Sequence, residues 1–166
     1  MMKAWQVQGA GEPKDVLHLV DVEVPEPGPG QLRIRVTAAG IGLPDVFMCR
    51  GTYALTPPLP FTPGQEASGV VTAVGEGVDA EIGARVMGVT VFYKGHGSFA
   101  EECLLGADTA FPIPKGLTDA ECLAELHGGD AASPRGAEDR EPVARREVGP
   151  LDQTGPRGEV GDPEPR

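Results

Sequence analysis

The chain has 166 residues, enough for one domain, or one domain and a tail, but cramped for two catalytic domains. Its net charge of −11 excludes the basic stripe that releases counterions from a nucleic acid, and argues against adsorption to anionic lipid. The 24 Gly and 17 Pro, beside only 5% aromatic residues, indicate a turn-rich β protein with some disorder.

Three widely spaced cysteines, Cys49, Cys103 and Cys122, form neither a CxxC pair nor a disulfide framework, as suits a reducing cytoplasm. Met1 to Val7 lacks the apolar stretch of a signal peptide, and no run approaches the roughly 18 apolar residues of a membrane span. The expectation is a soluble cytoplasmic protein with no nucleic-acid or membrane partner.

In chain order, Lys3 to Gln8 reads as a strand that runs into the Gly9-Ala10-Gly11 turn, and Val16 to Val24 as a second strand. Pro25 to Gly30 is a stiff turn. Leu32-Arg33-Ile34-Arg35-Val36 alternates strictly, which predicts a strand with one wet face. Ala67 to Val74, Arg85 to Val91, Ser98 to Leu105 and Thr109 to Ile113 are further β-type runs separated by Gly or Pro. Many short strands between such turns indicate a barrel or sandwich rather than a parallel α/β sheet. Thr118-Asp119-Ala120-Glu121 fits a capping box and predicts a helix start, limited to a few turns by Gly128-Gly129.

The character of the sequence changes near Cys122. Leu123 to Arg166 carries ten acidic and six basic residues, no aromatic one, and no strand or helix periodicity. Such a segment cannot bury enough apolar area to offset its chain entropy, so residues 123–166 are expected to be a disordered tail behind a lobe at 1–122.

Three ordered segments resemble the N-terminal half of medium-chain dehydrogenase/reductases, in particular the quinone oxidoreductase branch. They are Gly40 to Tyr53 (GIGLPDVFMCRGTY), Pro58 to Val71 (PLPFTPGQEASGVV) continuing to Val78, and Gly83 to Gly88 (GARVMG) followed by Gly97-Ser98-Phe99-Ala100-Glu101-Glu102. The resemblance spans about Met1 to Glu121. It implies a mainly β fold, a GroES-like, partly open β-barrel with short helical turns. It also implies hydride transfer from NADPH to a quinone or an α,β-unsaturated carbonyl, in a cleft shared with a dinucleotide-binding domain.

Zinc-dependent members take one ligand from a Cys at the place of Gly42 and another from a His at the place of Gln65. Glycine has no donor, and a glutamine amide is a poor tetrahedral ligand, so the lobe is expected to hold no metal. The resemblance puts Gly42, Asp45, Phe47 and Gln65 on the cofactor side, with Tyr53 and Glu66 as candidate catalytic residues at the mouth and floor of the cleft. Each has a structural alternative: Asp45 as a cap of the helical turn after Pro44, Phe47 and Tyr53 as core or hinge aromatics, and Glu66 as a buttress of nearby backbone. Many quinone reductases have Asn at the place of Gly42 and Tyr at that of Phe47, so two polar cofactor contacts are missing. Gly75-Glu76-Gly77 and Gly95-His96-Gly97 imitate a dinucleotide fingerprint, but neither leads into a helix, and both read as turns.

No later segment reads as a strand opening onto a helix N-terminus, the arrangement that binds a pyrophosphate. The expectation is therefore a truncated reductase lobe that does not hold NADPH stably and has no turnover alone. The alternatives are a non-catalytic module with a protein partner at its exposed cleft face, or half of a split reductase. If the tail comes from a shifted frame, translating the other two frames of the coding DNA beyond residue 122 will uncover a dehydrogenase-like continuation; none in either frame would dismiss that origin.

Overall fold

The computed structural model describes residues 1–127. β1 (Met2–Val7) and β2 (Leu17–Val22) form a two-stranded antiparallel sheet, with Trp5 opposite Leu19. Between them α1 (Pro13–Val16) is a single turn with Pro at its start, where a missing N–H breaks no helical bond. Val16, which reads as the first residue of a strand, ends this turn instead.

β3 (Gln31–Ala39), β4 (Glu66–Val74), β5 (Arg85–Thr90) and β6 (Glu102–Pro112) make an antiparallel barrel. The fold is mainly β, as expected, and its barrel is closed rather than partly open, because β3 pairs with both β4 and β6. Closure depends on β6. Its first half pairs with β3, with Glu102 opposite Arg35, Leu105 pairs with both β3 and β5, and its second half pairs with β5, with Ala110 opposite Gly88. One bent strand thus joins two runs that read as separate. At the bend, Thr109 Oγ1 donates to the Gly106 carbonyl at 3.1 Å, and Ala107 N donates to Gly30 O at 3.0 Å.

Side-chain alternation fills the barrel. Leu32 and Ile34 point inward with Val71, Val86, Cys103 and Leu105. Arg33 lies on the other face, where its Nε meets Glu102 Oε2 at 2.8 Å. So small a barrel also needs strands that pass without side chains between them. A Cβ on Gly69 would lie 2.1 Å from Arg35 O, and one on Gly88 would lie 2.3 Å from Thr109 O.

α3 (Asp119–His127) begins with the expected capping box: Glu121 N donates to Thr118 Oγ1 at 3.2 Å, and Thr118 N to Glu121 Oε2 at 2.8 Å. Cys122 packs with Met87 and Ile113, and Leu123 is also buried. The boundary expected after residue 122 therefore falls inside a packed helix; the rest of the expected tail, from residue 128 on, lies outside the described residues.

Asp119 ties this helix to three strands. Thr37 of β3 donates to its carboxylate, Arg85 Nε of β5 donates to Oδ1 at 3.0 Å, and Ser68 Oγ of β4 donates to its carbonyl at 3.1 Å. Burial pushes the Asp119 carboxyl up, but the Thr37 and Arg85 hydrogen bonds and the Arg85 charge outweigh it and hold the group below the usual carboxylate range. A depressed carboxyl contributes its full stabilisation above the unfolded value of about 3.9 and loses it as pH falls through the folded value. Amide-exchange protection of α3 should therefore drop between pH 5 and pH 3. In Asp119→Asn, protection should be lower at pH 5 and nearly flat over that interval; parallel declines in both proteins would rule Asp119 out as the anchor.

Candidate functional site

β3 and β4 deliver the two segments of the candidate site to one place. Their ladder ends with Ala39 opposite Ala67, and Gly40 N then donates to Glu66 O at 3.1 Å. The chain leaving β3 turns into α2 (Leu43–Cys49), while the chain entering β4 is the Pro63–Glu66 loop. Backbone pairing thus sets Gly42 and Gln65 on neighbouring strands' ends before any side chain contributes.

Asp45 joins the two segments. It is only 6% exposed; its Oδ2 accepts from Gly42 N at 2.9 Å and its Oδ1 from Gly64 N at 3.0 Å. The first bond is the helix cap that the sequence allows. The second reaches 19 residues along the chain, to a glycine with φ +102°. A side chain on Gly64 would collide with Ser98 Oγ, at 2.3 Å from its Cβ. Thr90 completes the support: its hydroxyl donates to Gly64 O at 2.6 Å and its amide to Gln65 O at 2.8 Å. Ser98 N also donates to Gly64 O, at 3.0 Å.

Gln65 is half-buried, and its Nε2 lies 3.6 Å from Met48 Sδ on α2. Glu66 is half-buried at the start of β4. Tyr53 packs against the cluster of Val7, Met48, Cys49, Phe61 and Phe92, with its ring 6.4 Å from that of Phe92. Phe47 is 40% exposed, and its neighbours Ile41 and Leu43 are 79% and 69% exposed. Gly42, Asp45 and Gln65 are therefore brought together through backbone, whereas Tyr53 belongs to the edge of a hydrophobic cluster and Phe47 to an apolar surface.

Thr90 and Ser98 escape sequence reading. Neither lies near Gly64 in the chain; the β4–β5 register brings Thr90 to it, and backbone bonds between two loops bring Ser98. The two Gly-x-Gly segments are turns: Gly77 and Gly95 have φ of +75° and +86°, and no helix follows either one. Burial and then the Asp45 charge push the Cys49 thiol up, which makes it a poor nucleophile at neutral pH. Among the described residues, no three His, Cys, Asp or Glu side chains gather as a metal site.

Residues 28–115 match the alcohol dehydrogenase GroES-like domain. The chain belongs to this family. Quinone oxidoreductase-like protein 2 of Mus musculus is 37% identical over 136 residues, which cover 76% of this chain and 38% of that protein. Quinone oxidoreductase of Rattus norvegicus is 36% identical, over 70% of this chain and 35% of its own length. A mycobacterial protein whose structure was solved with NADPH superposes with a TM-score of 0.64 at 33% identity, over 75% of this chain and 36% of that one. The chain thus spans little more than a third of the length of these relatives.

Within the GroES-like lobe the Asp45 clamp makes a clear demand. Asp45→Ala strands two backbone amides and should cost roughly 3 kcal/mol in urea denaturation, with Asp45→Asn losing about half as much. A loss below about 1 kcal/mol for the alanine variant would mean that Asp45 does not hold the segments together.

Proposed function

We propose that the GroES-like lobe forms one wall of the pocket of an NADPH-dependent, zinc-independent reductase of quinones or enones. The observation that carries this reading is the Asp45 clamp. It fixes α2 against the Gly64–Glu66 loop and turns the only charge of α2 inward, so that the outward surface is apolar. In this reading Gly42 and Phe47 lie at the nicotinamide end and Gln65 and Glu66 form the floor, with Tyr53 near the mouth.

When bound, NADPH would supply the hydride to the acceptor. The lobe suits the nicotinamide end alone, with Ile41, Leu43 and Phe47 exposed around Gly42. Among the described residues it offers no fit to the phosphates. The N-terminus of α3 already uses its own side chains as caps, and its first turn carries Asp119 and Glu121. The chain's own residues would orient the acceptor by apolar contact and exclude water, with Glu66 or Tyr53 available to pass a proton to the reduced oxygen.

Zinc independence is supported by the residue types at the two ligand places, Gly42 and Gln65. A cytoplasmic location is supported by Cys49, Cys103 and Cys122, which are buried and too widely spaced for a disulfide framework. Among the described residues, no helix is long and apolar enough to cross a membrane. The exposed Ile41, Leu43 and Phe47 also favour a second reading, in which this face docks a protein partner, including one that carries a nucleotide domain.

Titration of NADPH into the purified chain by calorimetry should give no saturable heat at micromolar concentration. Mixing with the part of the mycobacterial NADPH-bound relative that this chain does not match should yield quinone-dependent NADPH oxidation. Micromolar binding by the chain alone would show that it has its own nucleotide cradle, and failure of the mixture with every quinone and enone would sink the reductase reading.

A further inference from the structure

A groove of about 520 Å³ runs between the β1–β2 sheet and the end of β3. It is lined by Trp5, Leu17, Ala39, Ile41 and Phe99, with Lys14 its one charged lining residue. Its volume lies in the range of small-molecule sites, which combine an apolar lining with a few polar groups that fix orientation. Two of its walls continue into the candidate cleft. Ile41 directly precedes Gly42. Phe99 donates its amide to Pro63 O at 3.0 Å, and one of its ring carbons lies 2.7 Å from where a Cβ on Gly64 would stand.

The one charged residue in the lining, Lys14, favours an anion. The chain as a whole is acidic, yet among the described residues no carboxylate lines this groove. Glu12, on the residue before α1, is occupied by Arg50 at 2.9 Å. Lys14 itself enters no ion pair among the described residues. An apolar trough with a single unneutralised ammonium at its edge suits a hydrocarbon chain with one negative end.

We propose that this groove binds an aliphatic carboxylate of the fatty-acid class, its chain along Trp5, Ile41 and Phe99 and its carboxylate at Lys14. Occupancy would press on Ile41 and Phe99, and through them on the residues flanking Gly42 and Gly64. This proposal is independent of the reductase reading, since binding requires neither NADPH nor turnover.

Trp5 is the chain's one tryptophan and is 47% exposed, so its fluorescence reports the groove directly. Titrating the full chain with octanoate, decanoate and dodecanoate should give saturable blue shifts. Affinity should rise about twofold per added CH₂, less than full burial would give because the groove is open on one side. Lys14→Gln should weaken dodecanoate roughly threefold, as for an exposed ion pair, and Ile41→Asp should abolish the shift.

No saturable shift with dodecanoate overturns the site. Equal binding of dodecanol and dodecylamine overturns the assignment to an anion. A Trp5 shift that depends on protein concentration without any ligand, matched by dimer in sedimentation, would give the groove to a second copy of the chain and overturn the proposal as well.

Discussion

Two backbone amides, of Gly42 and Gly64, point at one buried carboxylate, and the shape of the candidate pocket wall depends on that convergence. Asp45 is nearly inaccessible, and a carboxylate in such a place is tolerated only when donors replace its water. Gly42 N and Gly64 N do so at 2.9 and 3.0 Å. Bonds from neutral amides to an ionised acceptor are stronger than those between neutral groups, and here both tie chain segments that would otherwise separate. Gly64 is also held from behind by Thr90 and Ser98, so the loop is fixed on both sides. The direction in which Asp45 faces has a second consequence: with its charge turned inward, what α2 shows to solvent is Leu43 and Phe47.

The clamp works only because the barrel brings its two halves within reach. β3 and β4 are antiparallel neighbours, so the end of one and the start of the other lie side by side, with Ala39 opposite Ala67. A slip of one residue in that register would turn Leu32 and Ile34 to solvent and move the Gly64 amide away from Asp45. Core packing and site geometry are thus enforced by the same pairing. The closed ring of four strands stiffens it further, since β3 is held from its other edge by β6.

Local rules in the sequence reach a good part of this arrangement. Strict alternation in Leu32 to Val36 reveals the inward Leu32 and Ile34, and Thr118 with Glu121 reveals the start of α3, because both patterns depend on neighbours a few residues apart. The same locality explains what is hidden. The run from Ser98 to Ile113 reads as two strands because Gly106 and Asp108 interrupt it, but β6 continues through a register shift there and stays paired with β5 on both sides. Asp45 reads as a cap of the helical turn after Pro44; its bond to Gly64 is set by topology and leaves no trace in spacing. Thr90 is an unremarked strand residue in the sequence, and only the pairing of β4 with β5 gives its hydroxyl a task.

The residue types on the wall constrain the chemistry that such a lobe can contribute. Gly42 and Phe47 bring no amide or hydroxyl to the cleft side, and Asp45 is committed to backbone. In the proposed reductase, the polar side chains facing the acceptor would be Gln65, Glu66 and Tyr53, of which Gln65 leans on Met48 and Tyr53 on the Phe92 cluster. In that proposed role, a wall of this kind would hold a flat or elongated apolar molecule by area rather than by directed hydrogen bonds. Discrimination by area is shallow: a missing methylene changes affinity by about 1–3 kcal/mol, whereas an unmatched buried donor excludes the wrong ligand far more strongly. Fine selection among acceptors in the proposed reductase would then fall to the surface that faces this lobe across the cleft, with the lobe setting only the width and dryness of the slot.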